Sequence, residues 1–262
     1  MPHANVNGQR IYFEDTGGSG APVVLAHGFL MDHEMFAPQV AALAPEFRVI
    51  TWDERGFGLT EFDSKPFTYW DSASDCIALL DHLGIEHAVI GGMSQGGFLS
   101  LRAALTAPER VRALVLLDTA ADLDSSEKLA ANQGMLDAWA QVGPIDQLAE
   151  AVATIIINDP VENARWIAKW RLRPKEFLTE PGRCLMGRDD ISSRLDEITC
   201  PAIVIHGEDD TGLTIDRAEA MAAALPGCAG VVRIPGAAHA ANLTHPHLVN
   251  PPLLEFLRRL PA

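Results

Sequence analysis

The sequence predicts an α/β fold: a mostly parallel central sheet flanked by helices, with a helical cap inserted after the sixth strand. Three observations predict it. Short apolar runs alternate with stretches of helical spacing, the pattern of a parallel sheet covered on both faces. One apolar run passes through a glycine-serine turn directly into a helical stretch. Between residues 120 and 194 the alternation stops and helical spacing alone continues.

Taken in order, residues 5–15 alternate as a hairpin does, with Asn7-Gly8 as its turn. A glycine-rich loop, 16–20, leads to residues 22–26, Pro-Val-Val-Leu-Ala, a buried strand by composition. Residues 35–43 carry helical spacing and 48–52 form a strand. Residues 69–83 are helical, with Ile77, Leu80 and Leu83 along one face. A strand at 88–91, a helix at 97–107 stopped by Pro108, and a strand at 111–117 complete the first part. The alternation resumes with a strand at 202–205, a helix at 216–225, a strand at 230–234 and a last helix ending near Leu260. Pro251-Pro252 is expected at or before the first turn of that helix, where a missing N–H costs nothing. Residues 1–119 and 195–262 thus form the core, and 120–194 the cap. The cap shows three helical groups: Met135, Leu136 and Trp139; Val152, Ile155 and Ile156; Trp166, Ile167 and Trp170. It is too short for a core of its own.

A chain of 262 residues, 48% hydrophobic, is long enough to bury a sizeable core, which excludes whole-chain disorder. The net charge of −15 and the absence of any Lys/Arg cluster argue against nucleic acid and against an anionic membrane surface as partners. No apolar stretch approaches the ~20 residues that cross a bilayer, and the opening residues lack a secretory apolar run. Cys76, Cys184, Cys200 and Cys228 are scattered without a C-x-x-C pair or a zinc-like Cys/His spacing. Reduced thiols, a cytoplasmic location and no metal or cofactor are the expectations. Oligomeric state is not readable from these features.

The chemistry concentrates at Gly92-Met93-Ser94-Gln95-Gly96, a G-x-S-x-G between a buried strand and a helix. A tight strand-to-helix turn forces its middle residue into strained backbone angles, and small residues two before and two after let the chain close without clash. Ser94 is then lifted to the amino end of a helix, where free N–H groups favour developing negative charge. No Walker lysine follows the glycines, so a phosphate loop is not indicated.

A serine hydroxyl needs a base to take its proton. His239, in a loop of small residues leaving a late strand, is the candidate; His245 and His247, beside Pro246, fit the approach to the last helix better. The base needs an acceptor on its other nitrogen. Asp210, three residues past Gly207, is the candidate acid, Glu208 and Asp209 being placed towards solvent; Asp118, at the end of an earlier strand, is the alternative. A tetrahedral oxyanion would take backbone N–H groups from Gln95 and from Phe29, in the loop His27-Gly28-Phe29. His27 is expected to brace that loop.

With these residues in place the chain resembles the α/β-hydrolase superfamily over nearly its whole length. The carriers are the elbow, His27-Gly28-Phe29, Asp53-Glu54-Arg55-Gly56-Phe57-Gly58, Gly207-Glu208-Asp209-Asp210 and Gly236-Ala237-Ala238-His239. Within it the chain is similar to 3-oxoadipate enol-lactonases, cofactor-free haloperoxidases and related small esterases, but has Gln95 where that branch often has Met or Leu. Serine rather than aspartate at the elbow favours acyl transfer. The resemblance implies a serine hydrolase cleaving a small, largely apolar ester or lactone through Ser94, His239 and Asp210. Carbon–carbon, amide or lactam hydrolysis and perhydrolysis share that triad, and a non-enzymatic ligand receptor is the reading from another class. Phe29 and the Gln95 side chain are candidate substrate contacts. So are Trp139 and Trp166 of the cap, unless with Trp170 they pack the cap onto the sheet.

Overall fold

The computed structural model describes residues 2–261. An antiparallel hairpin opens the chain, β1 (His3–Val6) and β2 (Gln9–Asp15), turned by Asn7 and Gly8 at φ of 48° and 78°, the primed turn that matches strand twist. Then follow β3 (Pro22–Ala26), α1 (Ala37–Leu43), β4 (Arg48–Trp52), α2 (Tyr69–His82), β5 (Ala88–Met93), α3 (Gln95–Thr106) and β6 (Val111–Leu117). Thr68 caps α2 in a reciprocal box with Asp71, which fixes where that helix starts. Four helices come next: α4 (Ser126–Val142), α5 (Asp146–Ile156), α6 (Pro160–Arg171) and α7 (Thr179–Met186). The chain closes with β7 (Ala202–Gly207), α8 (Ile215–Ala224), β8 (Cys228–Ile234), the short α9 (Ala241–Thr244) and α10 (Pro246–Arg259).

The eight strands form one sheet in the order β1-β2-β4-β3-β5-β6-β7-β8, antiparallel at the hairpin and parallel from β4 onward. This is the α/β-hydrolase architecture. The inner strands β5 and β7 are buried at every position, as a sheet covered on both faces requires. Alternate residues go to opposite faces. Val24, Ile90, Leu114 and Leu116 pack with α2, α3 and α8, while Leu25, Val89, Val115 and Leu117 pack with α1, α10 and the inserted helices. The order in which the chain lays down its strands reverses between the parallel neighbours β3 and β5, which makes a crevice at their carboxyl ends. In-register pairs Ala26↔Gly92, Met93↔Leu117, Leu117↔Ile205 and Gly207↔Ile234 bring the loops after β3, β5, β6, β7 and β8 out at that same edge.

Two expectations change. Pro251 and Pro252 lie inside α10, not at its start; Pro246 takes the first turn. The tolerance has a physical basis. The carbonyls that lose N–H partners, four residues back, belong to His247 and Leu248, both exposed to water, while Val249, Leu253 and Leu257 anchor the opposite face in the core. The helix predicted at 35–43 is a 3-10 turn, His33–Phe36, running into α1, because Asp32 caps the turn by accepting from the Glu34 N–H. No helix among the described residues is long and apolar enough to cross a membrane.

Candidate active site

Ser94 sits between β5 and α3 at φ 53° and ψ −112°, a conformation that L-residues rarely adopt and that persists only where packing over-determines it. The packing is visible in the glycines: a Cβ on Gly96 would lie 1.9 Å from the Ala26 carbonyl oxygen, and one on Gly92 2.2 Å from it. Only bare backbone lets α3 start this close to β3. The Ser94 carbonyl accepts from the Thr119 hydroxyl at 2.8 Å and from the N–H groups of Gly97 and Phe98, which holds the turn shut.

The loop after β3 lies opposite. His27 is wholly buried; its Nδ1–H donates to the Gly28 carbonyl at 2.8 Å and its Nε2 accepts the Glu54 N–H at 3.0 Å. Burial holds this imidazole below its usual range, so it is a neutral brace. Asp53 ties the same loop to β4. Its Oδ1 accepts from the His33 N–H and ring, both at 2.8 Å, and its Oδ2 from the Leu59 N–H at 2.7 Å. Neither the Phe29 nor the Gln95 N–H has a hydrogen-bond partner among the described residues. Both are therefore free for a ligand.

On the other side, Asp210 reaches His239 from the loop after β7. A Cβ on Gly207 would meet the Ala237 and Ala238 carbonyl oxygens at 2.4 Å, so glycine is what lets the two loops touch. Asp210 Oδ2 lies 2.7 Å from His239 Nδ1, and its Oδ1 accepts the N–H groups of Gly212 at 2.7 Å and Leu213 at 2.9 Å. His206, which sequence reasoning passed over, adds a further contact: its Nε2–H donates to the Leu213 carbonyl at 2.6 Å and stands 3.2 Å from Asp210 Oδ2. Burial pushes Asp210 up, but His239, His206 and the backbone donors outweigh it and hold the carboxyl well below its usual range. Asp118 goes elsewhere. Its oxygens accept the N–H groups of Gly207 and Ala241, and burial pushes it up to about 7. Glu208 and Asp209 are exposed. His245 stacks on His247 instead of entering the site.

Ser94 and His239 line one cavity of about 350 Å³, with Phe29 on its wall. No hydrogen bond joins the Ser94 hydroxyl to His239 among the described residues; such contacts tighten when substrate arrives. The inserted helices roof the cavity with Met135, Val152, Ile155, Ile156 and Leu185.

Three candidate contacts are corrected. Trp139 and Trp166 do not line this cavity. Trp139 packs edge-on against Trp170 and Phe177, and the Trp170 Nε1–H donates to the Leu30 carbonyl at 2.7 Å. Trp166 lies against Lys169. The tryptophans join the inserted helices to the β3 loop and so leave the wall to smaller side chains. The Gln95 side chain also turns away: its Nε2 donates to buried Glu54 at 3.0 Å and its Oε1 accepts from the Tyr69 hydroxyl at 3.3 Å. At the first position of α3 its side chain falls back over the end of β4, where Glu54 waits.

Two buried acid–histidine clusters, Asp32-His33-Asp53 and Asp118-His206-Asp210, have metal-like donor types. Their atoms are already engaged: Asp32 by Lys169 at 2.6 Å, Asp53 by His33 and Leu59, Asp210 by His239 and two N–H groups. A cation there would have to break those bonds.

A crevice at the carboxyl ends of a parallel sheet, a serine on a strained strand-to-helix turn and a histidine joined to a buried aspartate define a class of hydrolase-fold proteins. Comparison with known proteins agrees. Residues 21–144 match the family described as alpha/beta hydrolase fold. A Mycobacterium tuberculosis protein named as a non-heme bromoperoxidase, BpoC, is 32% identical over 95% of this chain and 98% of its own. A thermophilic esterase from Thermogutta terrifontis superposes with a TM-score of 0.88 at 30% identity, covering 99% of this chain and 97% of that one. The enol-lactonase from Burkholderia xenovorans LB400 gives 0.89 at 28% identity, covering 98% and 100%. The chain belongs to the α/β-hydrolase family.

Proposed function

We propose that the protein is a serine hydrolase that cleaves a carboxylic ester or lactone of a small molecule through an acyl-enzyme. One arrangement supports this above all: His239 is paired to Asp210 at 2.7 Å and faces the same cavity as Ser94 on its strained turn. The esterase and enol-lactonase names among its relatives point the same way.

In the proposed cycle the substrate carbonyl settles between Phe29 and Ser94. His239 Nε2 takes the Ser94 hydroxyl proton as the oxygen attacks, and a C–O bond forms. The oxyanion accepts from the free N–H groups of Phe29 and Gln95; losing one such donor costs about 10²–10³ in kcat in comparable sites. Asp210, ionised far below neutral pH, holds the imidazolium. The tetrahedral intermediate collapses, the alcohol oxygen leaves with the proton from His239, and water repeats the steps to free the acid. The apolar wall of Met135, Val152, Ile155 and Leu185 fits the hydrocarbon body of a small, largely apolar acyl group. Four free thiols suit a reducing compartment, and the cytoplasm is the proposed location.

The test is a panel of aryl esters, aliphatic lactones and amides, with initial rates for wild type and Ser94→Ala. Esters or lactones turn over in the wild type, and the substitution removes the rate to background. Equal rates in the two proteins would overturn the reading. Turnover confined to amides or to carbon–carbon substrates would move the reaction to another bond on the same residues.

A further inference from the structure

Most of the wall above Ser94 is apolar, yet two cations reach it. Arg188, just past α7, has a side chain only 4% exposed. Its guanidinium lies 4.8 Å from the centre of the Phe98 ring, so one flat face is covered. Its Nη2 donates to Asp124 at 3.1 Å and its Nη1 reaches the Leu185 carbonyl only at 3.5 Å. Its Nε–H has no protein partner among the described residues. Lys128, in the first turn of α4, is held by the carbonyl oxygens of Thr211, at 3.1 Å, and Gly212, and by no carboxylate.

Asp124 balances only one of these two charges. The same carboxylate also answers Arg217 at 2.5 Å, but Arg217 has a partner of its own in Asp122 at 2.9 Å. Burial pushes Asp124 up, and Arg188 and Arg217 outweigh it, so it remains an anion shared by two guanidiniums. The cavity wall therefore carries Arg188 and Lys128 against the one negative charge of Asp124, inside a chain of net charge −15.

A neutral acyl group filling this space would strip water from both cations and offer nothing in return, which is unfavourable for any buried charge. A carboxylate would meet the unpartnered Nε–H of the guanidinium in a charge-assisted hydrogen bond and would neutralise the excess. We propose that Arg188, with Lys128 beside it, is an anion subsite, and that the preferred substrates are esters or lactones whose acyl part ends in a carboxylate. This rests on the serine-hydrolase reading above and specifies its substrate class.

The experiment compares kcat/KM for an aryl ester of a simple aliphatic acid with the aryl hemi-ester of a dicarboxylic acid of equal length. It is run on wild type, Arg188→Met, Arg188→Lys and Lys128→Met. The wild type favours the hemi-ester by about tenfold or more, as a charge-assisted contact supplies. Arg188→Met lowers that ratio at least about tenfold, chiefly through KM, and Arg188→Lys restores part of it. If Arg188→Met does not fold, because Asp124 loses its partner, the wild-type ratio and Lys128→Met still decide. A wild type that prefers the neutral ester, or a ratio unmoved by these substitutions, overturns the subsite and leaves the hydrolase reading standing. No turnover of either ester removes the hydrolase reading, and this proposal with it.

Discussion

Two buried aspartates stand near His239, and their surroundings shift them in opposite directions. Asp210 collects hydrogen bonds from His239, Gly212 and Leu213 and stays ionised; Asp118 has backbone donors alone as hydrogen-bond partners, and burial, helped by the negative field of Asp210, outweighs His206 and His239 and pushes it up to about 7. Asp210→Asn should therefore lower kcat by about 10⁴, because an amide facing His239 favours the wrong tautomer. A matching loss in Asp118→Asn, with Asp210→Asn near wild type, would reverse the assignment. Ser94, His239 and Asp210 stand out in the sequence as candidates because each is marked by its immediate neighbours: small residues around the serine and the histidine, a glycine before the acids. The direction of the Gln95 side chain was not legible, since it is set by Glu54, 41 residues away. Nor was His206, whose part depends on a loop carbonyl seven residues on.

Within single elements the same division holds. The strands and the flanking helices were readable because burial imposes its period on each of them locally. The cavity wall was not. On α4 the sequence singles out Met135, Leu136 and Trp139, but of these only Met135 faces the cavity, beside Lys128, Ala131 and Asn132. Adjacent positions on a helix point about 100° apart, so a stripe one residue away looks to a different neighbour. Only the docking of the inserted helices decides which stripe meets the site. The prolines of α10 misled for the opposite reason: a local rule was overridden by tertiary anchoring. Pro251→Ala restores a donor for the His247 carbonyl on an exposed face. It should raise unfolding free energy by about 1–2 kcal/mol, the helix gain less the entropy that proline removes from the unfolded chain. A urea melt checks it, and a decrease would mean that the proline ring packs usefully where it stands.

Across the whole molecule the sheet brings five loops to one edge, and two oppositely shifted aspartates sit there. In the unfolded chain an aspartate such as Asp118 releases its proton near 3.8; folded, it keeps it to about 7. A raised folded value stabilises fully at low pH, and that contribution is lost as pH rises through about 7. Asp210 works in the opposite sense, stabilising above the ordinary aspartate range and losing its contribution as pH falls through its lowered value. The stability of wild type relative to Asp118→Asn should therefore fall as pH is raised from about 4 to about 8, followed by urea unfolding; a difference that is flat with pH would contradict the buried, protonated Asp118.

Whether Ser94 is a nucleophile is tested most directly by intact-protein mass spectrometry after exposure to an aryl phosphonate. A single added phosphonyl group, mapped to the peptide holding Ser94, absent from Ser94→Ala and slowed strongly in His239→Ala, is the predicted result. An unlabelled wild type, or equal labelling of the two serine forms, would contradict the proposed chemistry.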